Sequence, residues 1–302
     1  MVDIGVVILN WNTREYLKKC LDTVTASQGD FSYTVMVVDN GSTDGSVEMV
    51  RSHFPQVQLI VSEINGGYSY GNNLGLRALG YRGAGDVDAD APRYALLLNP
   101  DTEVPPDALY NMVQFMDSRP DVGIAGPKLV LPDGSLDRAC RRSFPTPEVA
   151  FYHFSKLAKL FPNSPRFARY NMTFIDQDTE TEVDSVVGAY MQLRKDVIAQ
   201  VGLLDEVFFM YGEDLDWAYR AKQAGWKVMY HPKVRVWHIK RAASRKSKKA
   251  QLEFYRAMLI FYQKHYQKTT PLWLHLLVMV SLRVGTPLRR ELQLFPTQAT
   301  SA

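Results

Sequence analysis

Cysteine is scarce, with Cys20 and Cys140 the only two in 302 residues. Two thiols without metal-ligand spacing imply neither a zinc site nor a disulfide framework, so reduced thiols and a cytoplasmic setting are expected. Glycine-rich phosphate cradles are missing as well. No G-x-G-x-x-G follows the first apolar run and no G-K-[ST] occurs anywhere, so neither usual helix-seated diphosphate site is available. A diphosphate bound here needs a metal. The opening MVDIGVVILNWN lacks a basic n-region and a small-residue cleavage site; it reads as a first strand, and export is not expected. The late apolar run Leu272 to Leu282 contains His275 and falls short of the ~20 residues that span a bilayer.

What is present supports a large core. The chain is 46% hydrophobic and 12% aromatic, enough for one domain with an appendage or for two. The net charge of +3 is unevenly spread: Lys233 to Arg256 holds nine basic residues and one Glu, a net +8 that leaves −5 for the remainder. A basic block of this kind serves nucleic acid, an anionic membrane surface or a plain solvated helix. No nucleic-acid recognition motif accompanies it, so no nucleic-acid partner is expected.

Read in order, Ile4 to Leu9, Val35 to Val38 and Val57 to Val61 are apolar runs separated by helical patterns. Two βαβ units in succession predict a mostly parallel, Rossmann-like α/β sheet flanked by helices. Asn12 with Glu15 resembles a capping box for the first helix, whose inner face is Leu17, Cys20, Leu21 and Val24. In NGGYSYGNNLG, residues 65–75, four glycines are too many for an ordinary helix, since each costs about 1 kcal/mol. They suit close backbone approach to a ligand, with Asn72 and Asn73 at the cleft edge. Residues 80–93 read as a polar surface loop, and 148–182 as an aperiodic lid. Val228 to Tyr230 and Val234 to Trp237 read as two strands. Leu252, Tyr255, Leu259 and Tyr262 recur at helical spacing in a basic tail.

The chemistry concentrates in two stretches. In YALLLNPDTE, residues 94–103, a buried strand runs into an acidic turn, the place where α/β sheets gather ligands. Asp101 there can hold a phosphate-bound divalent metal or, equally, cap the helix begun by Pro105 and Pro106. In FFMYGEDLDWAYRAKQAGW, residues 208–226, Glu213, Asp214 and Asp216 crowd a helix start. Asp214 and Trp217 share a face, either as a base beside a sugar platform or as a capped helix with a core tryptophan. Arg141 and Arg142 serve as an anion clamp or as surface charge. Gly188 permits close approach to a sugar, and Asp39 ends the second strand as a nucleotide contact or a turn former. His238 ends the last strand.

Taken together and in order, VVILNWN, VVDNGSTDGS, NGGYSYGNNLG, LLLNPDTE, CRRSFPTP, VGAYMQLRKD, FFMYGEDLDWAYRAKQAGWKV and VWH resemble the inverting, metal-dependent family 2 glycosyltransferases of GT-A fold, in particular a bacterial rhamnosyltransferase-like branch. The resemblance implies Asp101 as metal ligand with His238 as a further one, and Asp214 as catalytic base. It implies Asn10, Asp39, Gly67, Asn73 and Asn99 around the nucleotide, although Asn99 stands where many members have Asp. Arg141, Arg142, Gly188, Glu213 and Trp217 fall on the acceptor or phosphate side. Mg²⁺ or Mn²⁺ is the implied cofactor, a dTDP- or UDP-sugar the donor, and a glycan or lipid-linked glycan the acceptor. Residues 1–243 are then the catalytic domain, with a nucleotide half to about 104 and an acceptor half beyond it. Residues 244–302 form a helical extension suited to the inner membrane face, and a homo-oligomer is compatible. A catalytically silent sugar-nucleotide binder or membrane scaffold is the alternative from another class. A nucleotidyltransferase is weaker, because NWNTRE occupies the place of its glycine-rich triphosphate loop.

Overall fold

The computed structural model describes residues 2–240 and 248–284. The first apolar run forms β1 (Ile4–Asn10), buried at every residue but Leu9, as a strand covered on both faces must be. Helix α1 (Arg14–Val24) turns Leu17, Cys20, Leu21 and Val24 inward. Asn12 does not cap it. With φ at +51°, its carboxamide oxygen accepts instead from the Thr43 N–H at 2.8 Å, and Thr13 precedes the helix. Then follow β2 (Tyr33–Asn40), α2 (Ser46–His53), β3 (Gln58–Ser62) and α3 (Tyr68–Ala78).

Two of the four glycines in that region serve packing rather than a ligand. A Cβ on Gly71 would lie 2.2 Å from Leu9 Cδ1, and one on Gly75 would lie 2.6 Å from Val7 Cγ1, so α3 can rest directly on β1. The stretch expected to be loop, 80–93, carries a hairpin of β4 (Tyr81–Gly83) and β5 (Asp86–Val87). Tyr81 pins it, being buried and donating its hydroxyl to the Pro92 carbonyl at 2.6 Å.

The remaining elements are β6 (Tyr94–Leu98), β7 (Thr102–Glu103), α4 (Ala108–Ser118), β8 (Val122–Val130), α5 (Pro147–Phe154), α6 (Leu157–Leu160), β9 (Thr181–Val183), β10 (Tyr190–Arg194), α7 (Lys195–Val201), α8 (Glu213–Gln223), β11 (Lys227–His238), α9 (Lys248–His265) and α10 (Leu272–Val284). The lid region thus contains two short helices. The two late strands are one, β11, whose ladder with β8 shifts register between His231 and Arg235, around Pro232.

The main sheet runs β3-β2-β1-β6-β10-β8-β11-β7, with β9 also on β11. β3, β2, β1 and β6 are mutually parallel, and so are β8 and β11. β10 runs antiparallel between them and sets Tyr190 opposite Leu98. The segment leading into β10 therefore lies at the same edge as the carboxyl ends of β1, β2 and β6. That edge is the cleft.

Helix α9 packs into the same core. It buries Ala250, Ala257, Phe261 and Tyr262 rather than the stripe through Leu252, Tyr255 and Leu259. The small Ala257 lets it approach the chain at Gly212 closely, where a Cβ would come 3.3 Å from Ala257 Cβ. The boundary placed at 243/244, the basic residues Arg241, Arg245 and Lys246, and Arg289 and Arg290 lie outside the described residues. Both cysteines are free and buried.

Candidate active site

The cleft has three parts. At the first, the β1–β2 register sets Asn10 beside Asp39. Asn10 Nδ2 donates to Asp39 Oδ2 at 2.8 Å and to Ser42 Oγ at 3.1 Å, while the Ser42 N–H donates to Asp39 Oδ1 at 2.8 Å. Both groups are buried. Asp39 is thereby fixed in direction, yet each of its oxygens retains lone pairs for a further donor.

The second part joins β7 to β11, pairing Thr102 with His238. This register brings Asp101 Oδ1 to 3.4 Å from His238 Nε2, and the Ile239 N–H donates to the Asp101 carbonyl at 2.8 Å. Behind the imidazole, Nδ1 meets Asp137 Oδ2 at 2.8 Å, and Lys240 Nζ meets Asp137 Oδ1 at 2.7 Å. Burial works against a charged ring, but Asp101 and Asp137 more than offset it and raise the His238 pKa. Burial likewise opposes the Asp137 charge, and its bonds to His238 and Lys240 overcome this and hold it far below the usual carboxylate range.

The third part is the start of α8. Gly212, at φ +82°, turns the chain so that Glu213 and Asp214 enter the protein side by side. Asp214 Oδ2 accepts from Arg142 Nη2 at 2.7 Å and from the Gly188 N–H at 3.2 Å. The ion pair is buried, with 11% and 7% of the two side chains exposed. Glu213 is 5% exposed and its Oε2 has no hydrogen-bond partner. Burial, reinforced by the Asp214 charge, pushes its pKa up to about 8.

One short segment ties the second and third parts together. The Asn99 N–H donates to the Ala189 carbonyl at 3.0 Å; the next residue back, Gly188, bonds Asp214 as above. Tyr68 closes the gap, its hydroxyl donating to the Gly188 carbonyl at 2.8 Å. Its phenol is half-buried and feels the charges of Glu213, Asp214 and Asp101. Gly67, at φ +93°, permits this, because a Cβ there would lie 2.5 Å from the Phe209 carbonyl oxygen. Asp214 and the turn that carries Asp101, far apart in sequence, are therefore both tied to residues 188–189.

Several residues sit otherwise than expected. The Asn73 amide is spent on the fold, donating to Leu204 O and Glu206 Oε1 and accepting from Leu204 N. Arg141 donates to the Asp176 and Ile175 carbonyls and packs over the Tyr230 ring; it binds no anion in that state. Trp217 is fully buried and donates to the Gly202 carbonyl at 2.8 Å, so it offers a sugar no face. The room beside Gly188 is filled by Tyr68, 2.5 Å from where a Cβ would stand. Asp137, Tyr68 and Lys240 escaped the sequence reading. Only Tyr68, an aromatic directly after a glycine pair, left a readable signal.

Comparison with known proteins gives the family and the fold. A family profile described as glycosyltransferase-like family 2 matches residues 3–255, and the chain belongs to that family. An N-acetylglucosaminyl-diphospho-decaprenol L-rhamnosyltransferase of Mycobacterium tuberculosis is 27% identical over 241 residues, covering 80% of this chain and 77% of its own. The rhamnosyltransferase WbbL of Escherichia coli K12 is 25% identical over 243 residues, covering 78% and 83%. Among solved structures, GalNAc-T7 with UDP, GalNAc and Mn²⁺ superposes with a TM-score of 0.59 at 14% identity, over 94% of this chain and 54% of that one. The chain thus spans about half the length of that neighbour, and the fold is that of the GT-A glycosyltransferases.

Proposed function

We propose that this protein transfers a sugar, L-rhamnose from dTDP-rhamnose, to a glycan or lipid-linked glycan with inversion at the anomeric carbon. The supporting observation is that the 188–189 segment bonds Asp214 through the Gly188 N–H and Asn99, two residues before Asp101, through the Ala189 carbonyl, while Tyr68, bonded to the same segment, feels the charges of both Asp214 and Asp101. Rhamnosyltransferases among the relatives favour this donor. Asp39, steadied by Asn10, contacts the nucleoside, with Gly67 and Asn99 lining the path to the diphosphate.

A carboxylate oxygen and an imidazole nitrogen facing one another suit Mn²⁺ or Mg²⁺, and the structural neighbour carries Mn²⁺. No group of three or more His, Cys, Asp or Glu side chains that could hold a metal occurs among the described residues. Asp101 and His238 would thus hold the ion together with donor oxygens and water. Bound there, the ion neutralises the charge of the departing nucleoside diphosphate.

Asp214 takes the proton of the attacking acceptor hydroxyl. Arg142 keeps that carboxylate aimed. Glu213, protonated at neutral pH, supplies the complementary group, a buried acid able to donate to a sugar oxygen. The two neighbours thus divide the labour. The assay incubates dTDP-rhamnose, Mn²⁺ and a lipid-linked N-acetylglucosamine acceptor. Asp214→Asn is expected to lower turnover by about 10²–10⁴-fold while donor binding persists, and Asp101→Asn to abolish the metal response of donor binding. Wild-type turnover in Asp214→Asn would remove the base assignment.

We further propose attachment to the inner face of the cell membrane through α10. No helix among the described residues is long and apolar enough to cross a membrane, yet Leu272 and Trp273 are 73% and 65% exposed, and Leu276, Leu277 and Val280 are exposed beside them. Such an apolar face lying next to a basic stretch suits an anionic interface. Sedimentation with phosphatidylglycerol vesicles is expected, weakened by Trp273→Ser with Leu276→Ser; indifference to vesicles at low salt would contradict the idea.

A further inference from the structure

Asp137 lies in LPDGSLDRAC, a stretch that carries no recognisable chemistry in the sequence, and it is 2% exposed. Its local task is modest: Oδ1 accepts from the Ala139 N–H at 3.1 Å, capping the single turn Arg138–Cys140. A serine would do that equally well. Two longer-range contacts need a carboxylate, to His238 Nδ1 at 2.8 Å and to Lys240 Nζ at 2.7 Å.

We infer that Asp137 is a positioning residue for the Asp101–His238 end of the cleft. An ionised carboxylate can only accept, so the ring nitrogen facing it must carry the hydrogen. His238 is thereby left with Nε2 as its coordinating atom, and Nε2 is the nitrogen aimed at Asp101, 3.4 Å away. An imidazole free to rotate about its χ2 torsion would present either nitrogen, or neither. Lys240 completes the arrangement by holding the carboxylate from its other oxygen. An outer carboxylate of this kind orients a metal-binding histidine and fixes its tautomer. The inference rests on the reading of Asp101 and His238 as metal ligands.

The test measures Mn²⁺ affinity in the presence of dTDP by electron paramagnetic resonance, for the full chain and variants. Asp137→Ser keeps the turn capped but is too short to reach the imidazole, and it is expected to weaken Mn²⁺ binding about 10–100-fold. Asp137→Asn retains an oxygen acceptor for the Nδ1 hydrogen and should recover most of that loss. Nitrogen-15 histidine spectra with Mg²⁺ and dTDP should show His238 as the Nδ1–H tautomer in the wild type and a mixture in Asp137→Ser. If the wild type binds no Mn²⁺, or Asp101→Asn binds as well as the wild type, the metal reading itself fails and this inference with it. If Asp101→Asn loses the ion while Asp137→Ser binds like the wild type with an unchanged tautomer, the positioning role alone is overturned.

Discussion

The two acidic ends of the cleft are built on opposite terms. Around Asp101, charges alternate in a chain of Asp101, His238, Asp137 and Lys240, and each buried charge has a counterpart within hydrogen-bond or near-contact distance. At the start of α8 two carboxylates adjoin, one guanidinium serves one of them, and the other keeps an orphaned oxygen. The first arrangement is a rigid frame in which every ionisation is compensated. The second stores unsatisfied electrostatics, which an arriving sugar hydroxyl can relieve. Buried, incompletely satisfied acids raise the free energy of the empty site, and that difference is available to substrate.

Removing the guanidinium paired with Asp214 is the strongest way to break this comparison. Arg142→Met strands the Asp214 carboxylate in the interior and should cost about 3–5 kcal/mol of stability, read from urea unfolding. A loss under about 1 kcal/mol would make the pair equivalent to a surface bridge. The milder change is Glu213→Gln, whose effect depends on pH. From its ordinary 4.5, the Glu213 pKa rises to about 8 on folding. Below 4.5 both states hold the proton. As pH rises from 4.5 toward 8 the unfolded chain releases it first, so wild-type stability falls across that window and then levels. The raised pKa of His238 slopes the same way, so the readout is the difference between the two proteins. Glu213→Gln should lack its share of the decline, and parallel curves from pH 5 to 9 would show that Glu213 is not held protonated.

Much of this plan was legible beforehand. Ile4 to Leu9 and Ala95 to Leu98 announced buried strands by their unbroken apolarity, and the acidic turn after the latter announced the cleft. The antiparallel course of β10 was not legible, because an apolar run has no direction. Residue type also failed to reveal which way a polar group points. Asn73, Arg141 and Trp217 each have the right chemistry for a ligand, and each is committed to backbone carbonyls instead. Asp137 failed in the converse sense: a lone acid in a turn looks ordinary until the β8–β11 pairing brings His238 to it, about a hundred residues on.

Asp216, fully buried, accepts from His265 at 2.7 Å and meets Lys264 at the same distance, while Arg220 grips its other oxygen. Lys264 and His265 stand at the end of α9, and Asp216 is three positions from Glu213. Helix α9 is therefore bolted to α8. On the membrane attachment proposed above, this bracing, continued by the Tyr262 hydroxyl against His275 Nδ1 at 2.9 Å, would hold the outermost helix at a set distance from the acids of α8.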